Sequence, residues 1–325
     1  MEPWYKNVNP RKEVREGRSF NPDEFAIALE KVVADKGPDD YRLAEQFFSR
    51  TCFTTAFMEH AGMVLRRLAG ETVNTAPVLT LITQFGGGKT HTLTALYHLA
   101  HNGAKSIEYP GISRLLSDLG LSKITEPQVA VFVGNAWDPQ EGLETPWIDI
   151  ARQLAGEKGV NVLGTAAETT PPGTEAISRI FEAAQKPVLI LFDEVLNFIN
   201  RHRNMAESFH AFIQNLTVAM AGATHGAAVI SLPRSQVEMT DWDQQWQQKI
   251  TKVVRRVAKD LIANDESEIS EVVRRRLFED LGKERTRKQV ATAFADWCFE
   301  RRAELPPEWT AVDTATSEKK AREFL

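Results

Sequence analysis

The sequence predicts an α/β fold: a three-layer sandwich around a parallel sheet, with helices before the sheet and a helical subdomain after it. Three observations carry this prediction. Residues 78–82, 129–133, 188–192 and 227–232 form short, nearly continuous apolar runs, as strands buried on both faces require. Helix-compatible segments separate these runs, and strand–helix alternation is the mark of a parallel sheet. Gly86-Gly87-Gly88-Lys89-Thr90 lies directly after the first run and opens a helical stretch that continues to about Ala100.

Residues 1–20 are polar and charged and read as an arm or linker. Asn21 offers an N-cap, Pro22 the favoured first helical position, and Asp23 and Glu24 complement the helix dipole. That helix runs through Leu29 and Val33 to a stop at Gly37-Pro38, and a second helical stretch spans about 41–68 and ends at Gly70. Together these make a helical segment over 21–75, ahead of a core over 76–235. Beyond Leu232 the strand signal fades, and 242–261, 267–281 and 286–301 read as helices of a subdomain over 236–325. The last nine residues still read as helix, so the chain is expected to be part of something longer.

Composition excludes several classes. No apolar run approaches the ~20 residues of a membrane-spanning helix, and the polar N-terminus lacks the apolar core of a signal peptide. Cys52 and Cys298 stand far apart with no CxxC, which offers neither a disulfide framework nor a zinc site. A cytoplasmic protein without a membrane partner is expected. A net charge of −5 gives no general attraction to nucleic acid. The late basic clusters at Lys252, Arg255 and Arg256, at 274–276 and at 283–288 are interleaved with Asp and Glu, as on solvated helix faces.

The chemistry concentrates at strand ends. Glycines let a backbone curl until its N–H groups face a phosphate chain, and the following helix N-terminus adds partial positive charge. Phe85, Gly86, Gly87, Gly88, Lys89, Thr90 and His91 are therefore expected to line a nucleotide. Lys89 would reach the β- and γ-phosphates, and the Thr90 hydroxyl would hold Mg²⁺. His91 itself has no partner at i+4, where Ala95 stands, for a metal role. Thr83 occupies the place where the usual GxxxxGK[ST] pattern has its first glycine.

Asp193 and Glu194 close the run 188–192. A carboxylate at the end of a buried strand is costly without a function; Asp193 would hold the metal and Glu194 would activate water. An acidic pair there can also simply cap a helix. Ser231 and Asn135 end two further runs, where α/β sheets bind ligands.

With these motifs in place the chain resembles AAA+ ATPases. Phe47-Phe48, Thr51, Thr54, Arg67-Leu68-Ala69-Gly70, the segment from Thr83 to His91, Tyr97-His98-Leu99, Phe192-Asp193-Glu194 and Arg275-Arg276-Leu277-Phe278 narrow the likeness. They resemble one family of large predicted bacterial and archaeal ATPases that carry a domain of unknown function and are commonly encoded beside DNA methyltransferases in defence islands. The resemblance implies ATP and Mg²⁺ as ligands, a homo-oligomer, and DNA, a DNA methyltransferase or other defence proteins as partners. It also implies an arginine delivered from a neighbouring subunit, for which Arg256 and Arg275, with Arg255, Arg276 and Arg234, are the candidates. The expected function is an ATP-hydrolysing motor or regulatory subunit; a nucleotide-dependent assembly switch and a small-molecule kinase are the alternatives.

Overall fold

The computed structural model describes residues 4–17, 27–83, 88–139, 145–233, 240–254, 258–262 and 266–305. Among the described residues the strands are β1 (Asn9–Pro10), β2 (Val78–Thr83), β3 (Gln128–Val133), β4 (Val188–Asp193), β5 (Gly226–Pro233), β6 (Ala258–Ile262) and β7 (Phe278–Asp280). The chain divides into two compact units, one of residues 23–49 and 53–264, the other of 1–22, 50–52 and 265–325.

The larger unit is a mixed α/β body around a parallel sheet in the order β3-β4-β5-β2-β6. The four apolar runs of the sequence are β2 to β5. Alternate residues of these strands serve two cores. Phe132, Ile190, Phe192 and Ile230 pack with Trp147, Phe209 and Ile213 of the helices Pro146–Leu163 and Ala206–Gly222. Leu79, Leu81, Leu191 and Val229 pack with Phe48, Leu65 and Leu96 from the helices Ala44–Arg50, Thr55–Leu68 and Lys89–Asn102. Burial on both faces is why the runs lack polar alternation.

Two expectations are corrected here. The stretch 41–68 is not one helix but three, Asp39–Arg42, Ala44–Arg50 and Thr55–Leu68. Thr54 takes an extended conformation and its Oγ1 accepts the Phe57 N–H at 3.2 Å, so the longest helix starts afresh at that cap. The strand signal also does not end at Leu232, because β6 pairs in parallel with β2 at the sheet margin. Its sequence Ala258-Lys259-Asp260-Leu261-Ile262 carries two adjacent charges, which edge positions tolerate and apolar-run criteria miss. The expected helix start at Asn21 and Pro22 lies outside the described residues, while Leu29–Val33 is helical.

Two side chains complete backbone pairing around the sheet. Gln153 receives the Val131 N–H at Oε1 (2.8 Å) and donates Nε2 to the Val131 carbonyl (3.1 Å), reproducing the exchange of a neighbouring strand beside β3. Arg67, buried, donates to the carbonyls of Ala223 (2.7 Å) and Gly226 (3.2 Å). Its cation thereby meets the carbonyl end of the helix Ala206–Gly222, where the dipole favours positive charge.

In the smaller unit β1 and β7 pair antiparallel, with Asn9 opposite Asp280. The Arg11 guanidinium donates to the Arg275 carbonyl at 2.8 Å, and Arg50 pairs with Glu13 at 2.6 Å. The same unit contains the helices Lys12–Arg15, Glu266–Leu277 and Glu284–Glu300. Among the described residues no helix is long and apolar enough to cross a membrane.

Candidate functional site

The parallel sheet sends β2, β4 and β5 toward the same end, with β5 lying between the other two. Leu81 of β2 stands opposite Ser231 of β5, and Phe192 of β4 opposite Ile230, so Ser231 and Asp193 emerge at one level. Their side chains meet: the Ser231 hydroxyl donates to Asp193 Oδ1. Thr90, in the first turn of the helix Lys89–Asn102, donates Oγ1 to Asp193 Oδ2 at 2.8 Å. The Glu194 N–H adds a third bond, to Oδ1 at 3.1 Å. Asp193 is only 3 % exposed, and three donors are what a buried carboxylate needs.

Gly88 caps the helix that carries Lys89 and Thr90, with φ of +76°, a left-handed conformation that a side chain would strain. Burial lowers the Lys89 pKa, while the charges of Glu194 and Asp193 act in the opposite direction. Lys89 is thus a partly desolvated amine at the helix N-terminus, acted on by the charges of two carboxylates. Phe85, Gly86 and Gly87 lie outside the described residues. His91 is turned to packing: its ring stacks on Phe47 with centroids 4.5 Å apart.

Glu194 is the N-cap of the helix Val195–Arg201, at φ +54° and ψ +37°. Its carboxylate makes no capping bond to that helix; Asn197 Nδ2 instead donates to Oε2 at 2.6 Å. The Glu194 pKa is raised, first by burial, then by Asp193, with Glu30 adding to the rise and Lys89 opposing it. Glu30 belongs to the helix Leu29–Val33, which packs on β3 and on the helix Lys89–Asn102.

Two residues here were not singled out in the sequence. Gly134 follows β3, and a Cβ on it would stand 2.1 Å from the Glu194 carbonyl oxygen, so glycine is what allows the chain after β4 to lie this close. A glycine directly after an apolar run was the available signal. Asn197 was visible only as a polar residue three positions after Glu194. Asn135, at the end of β3, offers its carbonyl to Arg201.

Of the arginine candidates, Arg234, Arg255 and Arg256 lie outside the described residues. Arg275 and Arg276 belong to the smaller unit, where Arg275 pairs with Glu271. Trp242 and Trp246 pack together at 5.6 Å, beneath Arg203 and Lys249 respectively.

Among the described residues no group of three or more His, Cys, Asp or Glu is arranged to hold a metal. Thr90 and Asp193 together offer hard oxygen donors, the kind that hard divalent cations take.

Fold and site define a mixed α/β protein whose parallel sheet presents a carboxylate-centred polar cluster at its strand ends. Residues 5–120 match a family model described as the DUF499 N-terminal domain. The matched segment includes Lys89 and Thr90 and ends before β3, so Asp193, Glu194 and Ser231 lie beyond it. No curated protein matches the chain.

Proposed function

We propose that the chain is a P-loop ATPase of the AAA+ type that binds ATP with Mg²⁺ and hydrolyses it. The supporting observation is the convergence of Thr90 and Ser231 on Asp193, beside Lys89 and Glu194, at the carboxyl ends of three parallel strands. Lys89 and the N–H groups of the helix it opens bind the phosphate chain. Thr90 and Asp193 would hold Mg²⁺, which supplies charge neutralisation on the phosphate oxygens. Glu194 orients a water and takes its proton as the water oxygen bonds to the γ-phosphorus and the bond to the β–γ bridging oxygen breaks. Ser231 keeps Asp193 in place and would contact the γ-phosphate.

This reading extends to a motor, remodelling or regulatory subunit of a DNA-modification or antiviral system, acting as a homo-oligomer in which a neighbouring subunit supplies an arginine. Neither the motif from Thr83 to His91 nor the Asp193-Glu194 motif contains an arginine, which motivates that arrangement. The test is Mg²⁺-dependent phosphate release across a range of protein concentrations. Specific activity should rise with concentration, and Glu194→Gln should retain ATP while losing about 10²-fold in turnover. Undiminished turnover in Glu194→Gln would remove the hydrolytic assignment.

A further inference from the structure

We propose that Asn197 is the positioning residue of Glu194, holding its carboxylate in one orientation through Oε2. The inference rests on the hydrolytic reading of the site and adds to it a residue outside both strand-end motifs. Glu194 has two ways to be useful at its position, as a cap for the helix Val195–Arg201 or as a functional carboxylate. The geometry separates them: the side chain accepts no bond from the helix backbone, while the Asn197 amide donates to it at 2.6 Å. The carboxylate is thus turned away from capping and held from one side.

Asn197 is well placed for that task alone. In the short helix Val195–Arg201, Val195, Leu196, Phe198 and Ile199 are buried in the core, and Asn197 is exposed. Its side chain therefore contributes little to packing. A fixed carboxylate removes rotamer freedom that would otherwise be lost at the moment of reaction. An amide donor also stabilises the ionised form, the form a general base must have.

The experiment compares the full chain with Asn197→Ala and Asn197→Asp. Two readouts are taken: kcat and KM of ATP turnover, and the mobility of the Glu194 side chain followed by ¹³C NMR relaxation, assigned with Glu194→Gln. Asn197→Ala should lower kcat about tenfold, leave KM for ATP within twofold and loosen the Glu194 side chain. Asn197→Asp, nearly isosteric but without the amide donor, should do the same. If the folded wild type shows no turnover while the Glu194 side chain still loosens in both variants, the hydrolytic reading fails and the hold of Asn197 on Glu194 stands. If the order of the Glu194 side chain is unchanged in both variants, the proposal is overturned, and a lowered melting temperature alone would make Asn197 merely a helix-stabilising residue.

Discussion

Thr90 Oγ1 and Asp193 Oδ2 lie 2.8 Å apart, joining the first turn after β2 to the end of β4 across the intervening β5. Because Asp193 is buried and charged groups form the stronger hydrogen bonds, this bond is part of the fold as well as of the site. Thr90→Val keeps the shape and removes the donor. It should lower unfolding stability by about 1.5–3 kcal/mol, read as a shift of the denaturant midpoint at unchanged slope. A midpoint identical to wild type would mean that water replaces the hydroxyl without loss.

Lys89 carries the second prediction. Removing a charge-assisted contact to phosphate by Lys89→Ala should weaken ATP binding by about 2 kcal/mol or more. Isothermal titration with ATP and Mg²⁺ measures it. Since Lys89 is partly buried, far-ultraviolet circular dichroism should accompany the titration to show that the variant is folded. Unchanged affinity in that folded variant would end the phosphate-binding reading.

Glu194 links activity to pH with a definite sign. Its pKa in the folded chain is raised by burial and by Asp193, so the folded state holds its proton more tightly than the unfolded state. The stability associated with the protonated side chain is complete below the unfolded pKa, about 4.3 for glutamate, and declines as pH rises through the folded value. Glu194→Gln removes that decline, so its melting temperature should exceed wild type at pH 8 and converge on it at pH 3–4. Turnover in the wild type should fall on acidification at a pH above the ordinary glutamate range, because the base must be ionised. A wild-type acid limb within the ordinary range would contradict the environment described for this carboxylate.

Gly134 sets how closely the segment after β4 approaches β3. Gly134→Ala would place a methyl carbon 2.1 Å from the Glu194 carbonyl oxygen and 2.9 Å from Phe198 Cβ. Backbone has to shift, at a cost of about 1–3 kcal/mol, and Glu194 shifts with it. Both stability and turnover should drop in this variant. An alanine that leaves both untouched would show the approach to be looser than described.

Much of this architecture is legible in the residues because β2 to β5 are buried on both faces and so read as apolar runs. β6 is not legible in that way: Lys259 and Asp260 interrupt it, and its place beside β2 is decided by tertiary pairing. β1 and β7, two and three residues long, carry no periodic signal at all. The break at Thr54 was present in the sequence as a capping residue, but a surrounding helical pattern hid it. At the site, Thr90, Asp193 and Ser231 were each recognisable by position, whereas their meeting on one carboxylate depends on strand order. Asn197 stayed hidden because a polar residue on an exposed helical turn looks like any other until its partner is known.

The amide of Gln153 at the margin of the sheet has a consequence for the protein in concentrated solution. A parallel sheet whose first strand showed open donors and acceptors would offer a template on which a second chain could nucleate, the step that starts fibrillar growth. At Val131 both groups are already engaged by one intramolecular side chain, so an incoming strand would have to displace the glutamine before its first rung could form. Solubility at this margin is thus guarded by a competitor held at very high effective concentration rather than by charge. Gln153→Leu, close in volume but mute in hydrogen bonding, should fold and yet form thioflavin-positive aggregates sooner than wild type under agitation. Equal lag times would show that the helices around β3 already suffice as the barrier.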